Sequence, residues 1–458
     1  MLVAHATLLL LALALAWAAF FRAGVWAADW DVSLLVVGCL AIAYWRLTPR
    51  VRRAPVIPGW LRWSMMLLPA YIVLQMVPLP LRLVKALSPS RFVLAKQLEP
   101  IGFHLNAAPL SVNPPQTILL LFTILACALT FLLARELTWR FATSPWMTAI
   151  PLIALAVIEA IIGLVQVFGL SADHGTGTYT NRNHFAGYLE MLLPFATLYG
   201  FVSVREKQHR SGFTAAAALR ACALWGVAAL LLIATIYSLS RMGFIVSLWA
   251  LFAIAVLAIV PRLPSRAWRW STLGVLGIMI VATFIVLPPA QLIERFIELS
   301  STEKLSGNVR LGLWRETLPL ISEFHLTGCG LGGYESVFLK YQQVAAGFSI
   351  EFAHNDYLQY LAELGPLGFA MLATIIGGIF LQILRGVFRL TDLRRRLLAV
   401  SCAGAFIAIL LHSIVDFNMY IPANAMTLAW IAGIGSITVH SSRIRVRQPS
   451  ASETFASV

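Results

Sequence analysis

The residues able to do chemistry fall into four short polar segments and one isolated acid, set in an otherwise apolar sequence. The stretch Glu351-Phe-Ala-His354-Asn355-Asp356-Tyr357 places an imidazole, an amide and a carboxylate side by side just before a hydrophobic run. Imidazole exchanges a proton near neutral pH, so His354 has the chemistry of a general base. Arg241, in Ser238-Leu-Ser240-Arg241-Met-Gly243, and Arg310, in Ser306-Gly307-Asn308-Val-Arg310, are guanidinium groups suited to clamp phosphate oxygens by paired hydrogen bonds. Trp314 lies four residues after Arg310, on the same face of a helix, with Arg315 beside it. The segment Asp173–Gly187 carries Asn181, Arg182, Asn183 and His184, a set of amide, guanidinium and imidazole donors for a sugar or a phosphate. Asp416 stands alone in a short connection between two apolar runs.

Each segment also has a purely structural reading. Thr180 or Asn183 suits the N-cap of a helix, and Asn355 suits the cap of a helix that Gly365-Pro366 interrupts. Arg241 can pair with Glu190 or Asp416. The segment around Arg310 can be an amphipathic surface helix with Leu313, Leu318, Leu320 and Ile321 as its apolar side, stabilised by Arg315 and Glu316. Gly328-Cys-Gly330-Leu-Gly-Gly333 matches G-x-G-x-x-G, but no strand–helix unit surrounds it, so it reads as a turn that lets backbone pack closely. His325, His354 and Asp356 lack any recognised ligand spacing, and no metal is assigned.

The elements that must position these groups are membrane helices. Of 458 residues, 59% are hydrophobic and 12% charged, about half the charge of a soluble protein. Apolar windows of about 20 residues recur along the chain, which implies an all-α polytopic membrane protein. The continuous runs exclude a β-barrel. About twelve transmembrane helices are expected, near 3–21, 30–45, 60–78, 115–134, 147–169, 184–204, 217–237, 242–261, 270–289, 366–388, 397–415 and 422–440. Arginine and lysine cluster in alternate connections: around 46–62, 135–140, 205–220, 262–269, 385–396 and in the tail 443–447. The positive-inside rule makes these connections and both termini cytoplasmic. The net charge of +14 is therefore a topology signal, and no nucleic-acid partner is inferred. The four polar segments and Asp416 all fall in the remaining, outward connections. So does the segment 79–114, whose Arg82, Lys85, Arg91 and Lys96 oppose that side; its prolines and apolar stretches suggest it lies on the membrane surface. No disulfide is expected in the long loop, where Cys329 is the lone cysteine.

In order, the motifs Ser-x-Ser-Arg-x-Gly, Gly-x-x-Arg-x-x-x-Trp, His-Leu-Thr-Gly-x-Gly-x-Gly and His-Asn-x-Tyr-Leu-Gln-x-x-x-Glu-x-Gly resemble the O-antigen ligase and polymerase superfamily of bacterial inner-membrane proteins. The resemblance spans roughly residues 175–420, and the segment 177–184 looks more like exopolysaccharide-type members than like lipopolysaccharide ligases. It implies N-terminal transmembrane helices over 1–169, a catalytic region over 170–440 that includes a long periplasmic loop 290–365 with short helices, and a cytoplasmic tail 441–458.

It further implies transfer of a glycan from undecaprenyl pyrophosphate to a hydroxyl acceptor, a growing glycan or lipid A core, at the periplasmic face and without metal or other cofactor. A protein hydroxyl is another acceptor open to the superfamily. Arg241, Arg310, His354 and Asp416 correspond to the family's functional residues. On this reading the arginines neutralise the departing pyrophosphate, His354 draws the proton from the acceptor, and Asp416 orients or stabilises the imidazole. Asn181, Arg182, Asn183, His184, Arg315, Asn355 and aromatics such as Trp314 and Tyr357 would bind substrate. The implied partners are the lipid-linked glycan, its acceptor, membrane lipids and other polysaccharide-assembly proteins. Two further classes stay open: a transporter or flippase of polyisoprenoid-linked sugars, which should carry polar groups near the bilayer midplane, and a non-catalytic assembly partner.

Overall fold

The computed structural model describes residues 1–48, 53–97, 99–102, 104–211, 215–286, 290–297, 307–344 and 347–438. The tail 441–458, Arg50, Arg52 and Ser306 lie outside the described residues. The chain is helical almost throughout. The first group of helices is α1 (Leu2–Phe20), α2 (Ala27–Leu47), α3 (Gly59–Met76), α4 (Leu81–Leu87), α5 (Pro89–Lys96), α6 (Pro114–Arg140) and α7 (Ile150–Phe168). Then come α8 (Arg182–Ser211), α9 (Ala215–Tyr237), α10 (Arg241–Ile259), α11 (Arg266–Val286) and α12 (Ala290–Ile297). The remainder are α13 (Gly307–Glu323), α14 (Tyr334–Phe338), α15 (Asp356–Arg389), α16 (Leu393–His412) and α17 (Pro422–Thr438).

Among the described residues, ten helices are long and apolar enough to cross a membrane: α1, α2, α6 to α11, α15 and α16. The other two expected spans also form helices, α3 and α17. The only strand pairing described is a two-residue ladder, Leu79–Pro80 against Ala107–Ala108. The protein is thus the all-α polytopic membrane protein that its composition predicts.

Three helices fill the centre. In α8, every residue from His184 to Ala196 is buried, and α16 and α17 are buried along most of their length. By contrast α11 buries none of its residues, as a lipid-facing helix with apolar sides all round would.

The connections sort onto two ends. At one end, the Arg135 guanidinium donates to Pro55 O at 2.6 Å, the Trp146 indole to Arg394 O at 3.0 Å, Arg395 to Ala142 O at 3.1 Å and Arg396 to Leu257 O at 2.7 Å. These bonds join connections that the charge pattern places on one side. At the other end, Val112 N–H donates to Cys329 O (2.9 Å), Gly175 N–H to Tyr237 O (3.0 Å) and Asp356 N–H to Ser413 O (2.9 Å). The segment 79–114 sits at this second end, with the long loop, despite its Arg82, Lys85, Arg91 and Lys96.

The glycine-rich turn 328–333 is a packing device, as read. Gly328, Gly330 and Gly332 all have positive φ, and a Cβ on Gly328 would lie 2.2 Å from Glu363 O. From α3, the Tyr71 hydroxyl donates to Thr327 O and Leu364 O, and the Gln75 amide donates to Thr327 O and Glu363 O. Gly365 (φ 62, ψ 179), followed by Pro366, breaks α15 at this contact. The break separates a first segment, 356–364, from the apolar run that follows it.

Candidate active site

His354 is placed by the start of α15. The Asn355 side chain caps that helix, accepting from Tyr357 N–H (3.0 Å) and Leu358 N–H (3.1 Å). His354 itself has φ 50, a left-handed conformation that costs a residue with a Cβ about 1–2 kcal/mol. The flanking backbone fixes it there. The Trp314 indole donates to Ala353 O at 3.0 Å, Ala353 N–H donates to Gln359 Oε1 at 2.7 Å, and Asp356 N–H donates to Ser413 O. Backbone strain held from both sides is the kind of feature that marks a functional position.

Asp416 is the centre of the site, and its side chain has no exposed surface. Its Oδ1 accepts from Phe417 N–H at 2.9 Å and lies 3.4 Å from His184 Nε2 and 3.5 Å from His354 Nδ1. Its Oδ2 accepts from the Asn183 amide at 2.9 Å and lies 3.5 Å from Arg310. The carboxylate thus has a histidine side and an arginine side. Burial alone would raise its pKa, but His184, His354 and Arg310 outweigh burial and hold it well below the usual carboxylate range. The edges of both imidazoles meet the Phe417 ring, with centroids at 4.6 and 5.0 Å, and Phe352 stacks on that ring at 4.0 Å.

The histidine side opens on a cavity of about 550 Å³. His354, His184 and Asn181 form part of its wall, with Trp30, Phe352 and Glu351 among the other lining groups. His354 keeps 15% of its side chain exposed there. Beside it, sharing Leu120, Thr123 and Tyr420, an apolar groove runs between α3, α6, α15 and α17.

The four chain segments that converge are 181–184, 310–314, 352–356 and 413–417. Several expected roles change. The cap of α8 is Asn181, which accepts from Asn183 N–H at 2.8 Å, because Asn183 turns its amide to Asp416. Thr180 lines the cavity instead. Glu190 pairs with His412 (3.0 Å), and Arg310 lies within ion-pair distance of Asp416 (3.5 Å). Arg241 is half-buried at the first turn of α10, which Ser240 caps through Gly243 N–H. That turn abuts α8, since a Cβ on Gly243 would lie 2.4 Å from the Ala186 Cβ. Arg182 is half-buried at the start of α8.

Helix α13 is amphipathic, but Leu318 is 55% exposed, and the buried stripe runs through Leu313, Thr317, Leu320 and Phe324. Arg315 is exposed on another face, beside Glu316, Lys340 and Tyr341, and does not join the Asp416 cluster. The Tyr357 hydroxyl donates to Leu410 O at 2.8 Å, which ties α15 to α16.

The sequence reading did not give three groups the pairings they have. Asp356, fully buried, accepts from the Ser413 hydroxyl (2.6 Å) and Met419 N–H (3.2 Å), so it clips the connection that carries Asp416. Glu363 accepts from Gly332 N–H, Tyr334 N–H, Gln359 and Tyr420. Glu190 and His412 form a fully buried pair at 3.0 Å. Their signal was present: ionisable residues inside apolar runs are expensive and need partners.

Residues 226–373 match the family model for O-antigen ligase. The match runs from α9 to the middle of α15 and covers about a third of the chain. It includes Arg241, Arg310 and His354, while the residues that the structure adds to the cluster, Asn183, His184 and Asp416, lie outside it. It supports the O-antigen ligase superfamily and, with it, ligase- or polymerase-type glycan processing in a multi-pass bacterial membrane protein that acts on a lipid-linked glycan and an acceptor. No curated protein matches the chain.

Proposed function

We propose that the protein transfers a glycan from a polyprenyl-pyrophosphate carrier to a hydroxyl of an acceptor glycan, at the periplasmic face of the inner membrane. The observation that carries this reading is the two-sided Asp416: histidines that line a cavity on one oxygen, an arginine on the other. Since Nδ1 of His354 is the atom nearest Asp416, Nε2 is left to take a proton. The acceptor oxygen attacks the anomeric carbon, the bond from that carbon to the pyrophosphate oxygen breaks, and the acceptor's proton passes to Nε2. Direct attack inverts the anomeric configuration. Asp416, held anionic, stabilises the imidazolium as it forms. Arg310, with Arg241, meets the charge that grows on the pyrophosphate. His184 and Asn183 keep the Asp416 carboxylate in place.

The test is production of surface polysaccharide by a deletion strain carrying Arg310→Ala or His354→Ala. Loss of polymer, with the lipid-linked precursor accumulating, is expected. Normal polymer from both variants would overturn the assignment. Precursors stalled as single repeat units would identify a polymerase, and full-length glycan stranded on the carrier would identify a ligase.

A further inference from the structure

The cavity beside His354 has a charge character opposite to that of the arginine side. None of the described residues lining it is Lys or Arg. Its wall includes the exposed carboxylates of Glu335 and Glu351, with the Ser349 hydroxyl donating to Glu335 Oε1 at 2.8 Å. Trp30 and Phe352 supply flat apolar faces, and Asn181 and the two histidines supply polar atoms. His184, whose Nε2 faces Asp416 Oδ1 at 3.4 Å, closes the buried end of this wall. Carboxylates accept hydrogen bonds from sugar hydroxyls, and aromatic faces pack on the C–H side of a pyranose ring. An anion entering here would meet the carboxylates of Glu335 and Glu351, with the buried Glu363 also in the wall, and no lysine or arginine.

We propose that this cavity is the acceptor chamber and that it selects acceptor glycans without anionic groups, either uncharged or amino sugars. The inference rests on the proposed transfer reaction and adds the class of acceptor. The donor's pyrophosphate belongs on the Oδ2 side of Asp416, with Arg310, and the acceptor on the Oδ1 side, with His354 between them. The same two carboxylates keep the pyrophosphate from entering the wrong side. An acceptor rich in phosphate or acidic sugars is disfavoured.

The discriminating measurement is equilibrium binding of a matched pair of trisaccharides to the purified full chain in phosphatidylcholine nanodiscs, without donor lipid. The pair is trigalacturonate and its carboxyl-reduced, neutral counterpart of the same linkage. The neutral trimer should bind about tenfold more tightly at low salt, a gap of the size expected for two partly solvated charges. The gap should shrink as ionic strength rises through the Debye regime. It should also shrink in the double variant Glu335→Gln/Glu351→Gln. Equal binding, tighter binding of the acid, a gap that persists in the double variant, or no binding of either trimer would each overturn the chamber. Because the readout is binding, it separates from the chemistry. A preference that persists while His354→Ala still transfers glycan would sink the general-base reading and leave this one standing.

Discussion

Two buried carboxylates organise the polar end of this protein, and they differ in the company they keep. Asp416 is ringed by two imidazoles, a guanidinium and an amide. Glu363, 1% exposed, is ringed by the backbone N–H groups of Gly332 and Tyr334, the Gln359 amide and the Tyr420 hydroxyl, the last at 2.6 Å. Both are buried and both are well hydrogen-bonded, so neither property distinguishes chemistry from architecture. The partners do. Charged partners can respond to a developing charge, whereas the neutral N–H and O–H donors around Glu363 hold the glycine-rich turn against α15. Glu363 fastens the glycine-rich turn to α15, and Asp416 presents His354 to a cavity. Gln359 links the two, bonding Ala353 N–H with one end and Glu363 with the other.

The contrast breaks or sharpens under mutation. The largest effect should come from His354→Ala, with transfer falling by about 10²–10⁴-fold. Folded yield should hold, since the side chain lies at the cavity wall and Asp416 keeps His184, Arg310 and Asn183. In vitro turnover per folded molecule is the measure, and a yield loss that matches the activity loss would put His354 with the scaffold. Glu363→Ala should do the reverse. It leaves buried donors unpaired, at about 1–3 kcal/mol for each. Thermal unfolding in detergent should show a large destabilisation, with Glu363→Gln milder.

Gly328→Ala should cost at least the roughly 1–3 kcal/mol of a strained dihedral, since φ is +70°, and more because the new Cβ would lie 2.2 Å from Glu363 O. Whatever folds should retain its turnover; a selective loss of activity would show that the turn also serves the chemistry. The smallest effect is on the acid limb of stability. Asp416 has a folded pKa well below its ordinary value of 3.8. The stabilisation it brings is therefore fully present above that ordinary value and is lost as pH falls through the folded one. Unfolding midpoints measured from pH 5 down to pH 2 should show Asp416→Asn with a flatter acid limb than the wild type. Parallel limbs would mean that another acid governs this region.

The membrane character, the position of most spans and the standing of His354, Arg310 and Asp416 as polar groups in need of partners were legible in the chain. Charge in an apolar run carries a cost that shows in any window of sequence. Arg315 illustrates the limit. It is next to Trp314 and chemically like Arg310, yet a helix turns neighbours to different faces, and only the packing of Leu313, Thr317 and Leu320 into the loop core decides which arginine reaches Asp416. The cap of α8 was equally undecidable locally: Thr180 or Asn183 is what the sequence suggests, and Asn181, which can accept from a helix N-terminus just as well, takes the place. The amide that was needed elsewhere, on Asp416 more than two hundred residues away, settled it.

What the sequence alone determined is therefore one-dimensional: which segments are apolar enough to span, which connections carry the positive charge, and which rare polar residues must find partners. Those follow from solvation, which each residue carries with it. The tertiary structure decided the pairings: His184, Arg310 and His354 on one carboxylate, His412 on Glu190, and Glu363 under the glycine turn. Pairing depends on how α8, α13, α15 and the 413–421 connection pack, and hydrogen-bond partners far apart in the chain share no local pattern that could announce them.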